Sequence, residues 1–335
     1  MGLAAQTIRW GMLGCGAVTE VKSGPAFQKA RGSRLVAVMR RDAERAADYA
    51  RRHDVPRWYD NAAALVADPE VDAVYVATPP SSHLEHVRLV AQAGKPAYVE
   101  KPMGRTFAEC QEMMAVCQRA GVPLFVAYYR RALPRFLKVK EWIDSGGLGE
   151  IRFVTSTLAQ PVGDDLGHSW HLSADVSGGG RFVDVGCHAL DLLDFLLGPI
   201  VSVRGTAANQ ARLYAVEDIV SGAWVSASGV HGVGAWCFTS GDAIDRTEIV
   251  GTHGTARFAL LRDEPVCLST AAGMTAERID NPAHVQQPLV QSVVDQLLGV
   301  GTCPSTGVSA SRTNWVMDEL LREYRSATGS ARAPR

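Results

Sequence analysis

Two hydrophobic patterns alternate along the first part of the chain. TIRWGMLG (7–14), SRLVAVMR (33–40), VDAVYVAT (71–78), PAYVE (96–100) and VPLFVAYY (122–129) are short, nearly continuous apolar runs bounded by turn residues. Continuous apolarity marks strands buried on both faces, as in parallel sheets. Between the runs the spacing turns helical. SSHLEHVRLVAQAG repeats Leu84, Val87 and Val90 before a stop at Gly94, and TFAECQEMMAVCQRAG places Cys110, Met113, Met114 and Cys117 on one stripe before Gly121. This β-α-β-α order predicts a doubly wound parallel sheet over residues 1–127.

After a helical stretch, FLKVKEWIDSGG (136–147), the pattern changes to serial strands: IRFVTSTLAQ, SVRGTAANQ, DIVSGAWVSAS, VGAWCFTS and RTEIVGTHGTARFAL, with turn signals such as GTHG. Serial alternation of this kind predicts a second, α+β domain over 128–335 with a large, mostly antiparallel, open-faced sheet. One helix is expected at about 178–197 and two more near 287–299 and 308–326, with a disordered tail from about 327.

Composition narrows the function class. The chain has 335 residues, 47% of them hydrophobic, and 34 basic against 35 acidic side chains without long runs of either sign. Neither a nucleic-acid stripe nor a polybasic membrane patch is present, so a small molecule is the expected partner. The seven cysteines are scattered, odd in number and contain no C-x-x-C, which reads as reduced thiols in a cytoplasmic protein. No signal-peptide pattern and no membrane-spanning apolar run is seen.

Three constellations carry candidate chemistry. Gly11, Gly14 and Gly16 stand between the first strand and the first helix, where glycines allow a tight turn and close approach of a pyrophosphate to the helix start. Gly14, Gly16 and the following Ala17 and Val18 are therefore cofactor-binding candidates; Thr19 stands where a third glycine is usual. The plain alternative is a glycine-rich turn without a ligand. Second, Arg40 and Arg41 follow the second strand, at the place where an acidic residue selects NAD and an arginine accepts the 2′-phosphate of NADP. NADP is the preferred expectation, NAD the second, with Asp42 either capping the next helix or accepting the ribose hydroxyls. Third, Glu100-Lys101-Pro102 closes a buried strand, and GGGRFVDVGCHALDLLDFLLG sets Asp184 and His188 four apart on one helix face. A lysine, a carboxylate and a histidine meet the needs of carbonyl reduction: a donor for the reacting oxygen, an acid and an orienting group. Pro102 fixes the backbone after the lysine, and a cis Lys101-Pro102 bond is one way to aim it.

These motifs resemble the Gfo/Idh/MocA oxidoreductases. The resemblance covers almost the whole chain: the glycine turn, ATPPSSH (77–83), EKP, YYRR (128–131), GGGRFVDVGCHALD (178–191), EIVGTHGTARF (248–258) and CPSTGVSASRTNWVMD (303–318). It implies that Lys101 touches both nicotinamide and substrate and that Asp184 and His188 complete the catalytic set. It further implies that Thr78, Pro79 and His83 lie near the nicotinamide half, that Glu100 helps to hold it, and that Tyr128 and Arg130 sit at the domain junction. Such proteins commonly have Trp-Arg before the glycine run. Here Trp170 is followed by His171, which puts the arginine's contacts in doubt and alters the expected substrate pocket. His83/His86 and His168/His171 have metal-like spacing but lack a third ligand, so no metal is expected.

The expected activity is hydride transfer between nicotinamide and a carbinol or carbonyl carbon of a sugar, cyclitol or related polyol. Two other readings share the scaffold: redox-neutral, nicotinamide-dependent glycoside cleavage, and non-catalytic NAD(P) sensing. A homo-oligomer, dimer or tetramer, is expected from apolar strands such as SGAWVSAS on an uncovered sheet face.

Overall fold

The computed structural model describes residues 7–163 and 169–329. It divides into two compact units that do not follow chain order. The first comprises residues through Gly104, Glu109–Leu133 and Pro282–Ala310; the second comprises Arg105–Ala108, Pro134–Asn281 and the residues from Ser311 on.

In the first unit, strands β1 (Ile8–Leu13), β2 (Ser33–Met39), β3 (Arg57–Tyr59), β4 (Ala73–Val76), β5 (Ala97–Val99) and β6 (Leu124–Val126) form one sheet in the order β3-β2-β1-β4-β5-β6. Every pairing is parallel. β4, β5 and β6 are buried at every position, as continuous apolar runs require. An aromatic cluster fills one layer, with Trp10 4.9 Å from Phe27, Phe27 5.0 Å from Tyr75 and Tyr75 stacked 5.1 Å from Tyr98. The late helix Gln287–Leu297 belongs to this core, giving Leu289, Val290, Val293 and Val294 to the same cluster.

In the second unit, strands β7 (Ile151–Ala159), β8 (Ile200–Ala208), β9 (Ile219–Ser226), β10 (His231–Cys237), β11 (Ile244–Gly251), β12 (Gly254–Phe258), β13 (Val266–Thr270) and β14 (Gly273–Glu277) form a sheet in the order β14-β13-β12-β11-β7-β10-β9-β8. All pairings are antiparallel except that of β10 with β7. The expected α/β architecture, a doubly wound parallel sheet followed by a mostly antiparallel one, is therefore present.

Two expectations change. The helix expected over about 178–197 is a helix Cys187–Leu197 preceded by one wide π turn, Phe182–Gly186. Gly186 permits that turn, since a Cβ there would lie 2.4 Å from the Phe182 ring. At the other end, the tail expected to be disordered from about 327 stays helical through Thr328. Its last turn is held by the Thr328 hydroxyl, which donates to the Tyr324 carbonyl at 2.9 Å, and by Arg325, which donates to Asp318 at 2.6 Å. Residues from 330 on, and His168 of the metal-like pair, lie outside the described residues.

Candidate active site

Of the three glycines expected between the first strand and the first helix, Gly14 and Gly16 form the turn, whereas Gly11 lies inside β1, where a Cβ would come within 2.5 Å of Leu65. Gly14 has φ +91°, and a Cβ on it would lie 2.9 Å from the Ala77 carbonyl, so only glycine fits between β1 and the end of β4. A Cβ on Gly16 would meet nothing closer than 4.0 Å, which leaves open space beside the turn. Thr19, in the third-glycine position, is fully buried, and its hydroxyl donates to the Gly16 carbonyl at 2.7 Å. The close backbone approach falls instead on Gly24, where a Cβ would lie 2.2 Å from the Thr19 carbonyl oxygen. The first helix is accordingly split into Ala17–Val21 and Gly24–Lys29. Beyond β2, Arg40 donates to the Cys15 carbonyl at 3.2 Å and braces the turn, whereas Arg41 is exposed. Asp42 is the N-cap of the helix Ala43–Arg52, accepting from the Arg45 N–H at 3.1 Å.

At the end of β5 the Glu100 carboxylate is buried and surrounded by donors. The Tyr75 hydroxyl and Gln286 Nε2 (2.6 Å) donate to Oε1, and the Lys101 backbone N–H donates to Oε2 at 3.1 Å. Burial and the neighbouring Glu100 charge push the Tyr75 hydroxyl well above its ordinary pKa, so it remains a donor. The Lys101-Pro102 bond is cis. Lys101 is half-buried, and it follows a carboxylate whose position is fixed from three directions.

His83 sits between two backbone carbonyls. It is fully buried, with Nε2 2.7 Å from the Thr78 carbonyl and Nδ1 3.0 Å from the Met103 carbonyl. The ring thus ties the loop after β4 to the loop after Pro102. Burial lowers its pKa, while the two carbonyls pull the other way. Thr78 is held from its side chain as well, by His86 Nδ1 at 3.1 Å. Pro79 precedes the short turn Pro80–Ser82 that leads into His83. Tyr128 is fully buried at the end of β6, and the buried Arg130 guanidinium stacks 4.9 Å from the Tyr129 ring. Tyr75, His86 and Gln286 are the supporting residues that sequence reasoning missed; Gln286 is 186 positions from its partner.

In the second unit Asp184 lies in the π turn and His188 one turn later, half-buried and buried respectively. π turns inside α-helices recur at functional sites. His171, standing where an arginine is common, places Nδ1 3.5 Å from the Asp184 carboxylate. Trp170 stacks on His171 at 3.6 Å and is 42% exposed. Further along the helix, Asp194 is bound by Arg312 at 2.6 and 2.7 Å, and Asp191 accepts from the Thr313 hydroxyl at 3.4 Å. Among the described residues no group of three or more His, Cys, Asp or Glu could hold a metal, and no helix is long and apolar enough to cross a membrane.

Comparison with known proteins assigns both halves of the chain. Residues 8–128 match the model of an oxidoreductase family with an NAD-binding Rossmann fold, and residues 136–257 match the GFO/IDH/MocA C-terminal domain. The chain belongs to the Gfo/Idh/MocA oxidoreductase family. It is 35% identical over 315 residues to Oxidoreductase P35 of Formosa agariphila, covering 93% of this chain and 97% of the relative. It is 30% identical over 258 residues to the D-xylose 1-dehydrogenase [NADP(+)] of Haloarcula marismortui, covering 75% and 71%. The fold of aldose-aldose oxidoreductase from Caulobacter crescentus, crystallised with glycerol, superposes with a TM-score of 0.86 at 23% identity over 96% of this chain and 98% of that one. As a Gfo/Idh/MocA protein the chain is an oxidoreductase of the NAD-binding Rossmann type.

Proposed function

We propose that this protein is a dehydrogenase or reductase acting on a CH–OH or carbonyl carbon of a sugar, cyclitol or related polyol, with NADP as its preferred cofactor. The observation that carries the reading is the EKP turn: a lysine set directly after a buried carboxylate held by Tyr75, Gln286 and its own backbone, in a family of NAD-binding oxidoreductases. The name of the xylose dehydrogenase relative supports the sugar class and the NADP choice.

Gly14, Gly16, Ala17 and Val18 would take the pyrophosphate, and Arg41 the 2′-phosphate, since Arg40 is already engaged with Cys15. Thr78, Pro79 and Glu100 shape the nicotinamide side, with His83 holding their loops. The bound nicotinamide supplies a two-electron hydride acceptor or donor. Lys101 donates a hydrogen bond to the reacting oxygen and stabilises its developing negative charge. His188 takes the alcohol proton in oxidation and returns it in reduction, and Asp184, paired with His171, orients the substrate hydroxyls. Tyr128, Arg130, Trp170 and His171 are the remaining substrate-binding candidates.

The test is a panel of sugars and polyols with each cofactor, followed at the nicotinamide absorbance. Turnover with NADP on at least one polyol is expected, and silence across the panel with both cofactors overturns the reading. Arg41→Ala should weaken NADP binding by about tenfold or more while sparing NAD, the scale of one charge-assisted contact. Equal loss for both cofactors removes Arg41 from that role.

The protein also assembles, in this reading, through the outer face of the second sheet. Phe153, Val233 and Ile244 are 43, 51 and 46% exposed, and strand register puts them on one face. Light scattering should show a dimer or tetramer, and a single 36.0 kDa species at micromolar concentration counts against it.

A further inference from the structure

Glu217 is a buried carboxyl that neither cofactor nor substrate chemistry uses. It stands just before β9, 2% exposed, beneath the glycine run that opens the π turn. The Gly180 N–H donates to its Oε1 at 2.7 Å. A Cβ on Gly179 would lie 3.0 Å from that oxygen, and one on Gly180 2.5 Å from the Glu217 backbone carbonyl, so the run must be glycine for the two backbones to approach. The same residue reaches forward through its next peptide: the Asp184 N–H points to the Gly180 carbonyl at 3.3 Å. One residue thus lies between the Glu217 carboxyl and the backbone of Asp184. A second clamp comes from the C-terminal helix, where Arg325 donates to the Gly178 carbonyl at 2.7 Å and to Asp318 at 2.6 Å.

We propose that Glu217 is a positioning residue whose carboxyl fixes the Gly180 peptide and, through it, the turn that carries Asp184. The catalytic consequence rests on the role of Asp184 proposed above; the anchoring does not.

The groups facing Glu217 are Arg325 and Tyr324 from the C-terminal helix, its neighbour Asp218, and Tyr214. Asp218 is occupied by the backbone N–H groups of Gln210 and Ala211, at 2.8 and 2.7 Å. Burial pushes the Glu217 carboxyl up to about 7, against the pull of the Gly180 N–H and the Arg325 charge. A charged acceptor holds an N–H about twice as strongly as a neutral one, so the anchor loosens as the carboxyl takes up a proton.

The experiment compares the full-length wild type with Glu217→Gln and Glu217→Ala by amide hydrogen exchange at pH 6 and pH 8, corrected for intrinsic rates, over peptides covering 178–188. Wild type should be better protected at pH 8 than at pH 6. Glu217→Gln, which keeps an acceptor but cannot titrate, should lose that difference. Glu217→Ala should exchange about tenfold faster in this segment at pH 8, the scale of a lost hydrogen bond to a charged group, with strands β1–β6 unchanged. On a substrate found in the panel, Glu217→Ala should lower kcat by about tenfold with cofactor KM unchanged, and Glu217→Gln should restore kcat while losing the inflection near pH 7. The proposal fails if Glu217→Gln keeps the wild-type pH difference, or if Glu217→Ala leaves 178–188 exchanging at the wild-type rate. Should Glu217→Ala not fold, Glu217→Gln decides alone. If no substrate is turned over, the catalytic reading falls while the exchange measurement still decides the anchor.

Discussion

Glu100 and Glu217 are both buried carboxyls that hold a loop, and the structure treats them differently. Glu100 receives a phenol, an amide and a backbone N–H, all from the first unit. Glu217 accepts from the Gly180 N–H, and burial pushes its pKa up to about 7. A buried charge costs free energy unless enough donors replace water. The first carboxyl is held by three donors beside Lys101, and the second is one whose pKa burial raises. Each turn precedes a residue proposed above to act on the substrate.

This contrast can be broken by measurement. The largest effect should come from Glu100→Ala, which strands the Tyr75 hydroxyl and the Gln286 amide in the core. A loss of about 3 kcal/mol or more in denaturant unfolding is expected, against about 1 kcal/mol for Glu217→Ala, which strands the Gly180 N–H. Equal losses would erase the distinction. Next, Lys101→Met should lower turnover by about a hundredfold, the scale of a positioned electrostatic group, with cofactor affinity nearly intact. If turnover survives, the turn after Glu100 presents nothing catalytic. A third effect is in pH. Because the folded-state pKa of Glu217 is raised from 4.5 to about 7, the native protein binds more protons than the unfolded chain in that window. The stability this confers is complete below about pH 4.5 and falls away as the pH rises to about 7. The thermal midpoint of Glu217→Gln should lack this decline, and a parallel decline in both proteins would assign it to other groups.

The sequence displays one half of this picture better than the other. Continuous apolar runs disclose five of the six parallel strands, because strands buried on both faces admit little else. The missed strand, β3, is three residues at a sheet edge with no fully buried position. β13 and β14 were invisible for a related reason: β14 is almost wholly exposed, so burial imposes no alternation on Gly273–Glu277. Lys101, Asp184 and His188 are legible from local motifs and chemistry. Their supports are not, since Gln286 meets Glu100 and Glu217 meets Gly180 only through tertiary folding. The two carbonyl contacts of His83 are likewise tertiary and leave no trace in composition.

The placement of Pro282–Ala310 in the first unit bears on how the chain is made. Translation proceeds from the amino terminus, and domains generally fold as units as they emerge. After residue 133 the ribosome has delivered all six parallel strands, yet the nascent sheet still lacks Leu289, Val290, Val293 and Val294 from its core and the Thr306 bridge to Phe125. Tyr75 and Glu100 wait on Gln286 in the same way. Some 150 residues of intervening sequence must be synthesised before the first unit has all of its core residues. A chain truncated before the late helix would lack these four core side chains and the Gln286 contact to Glu100.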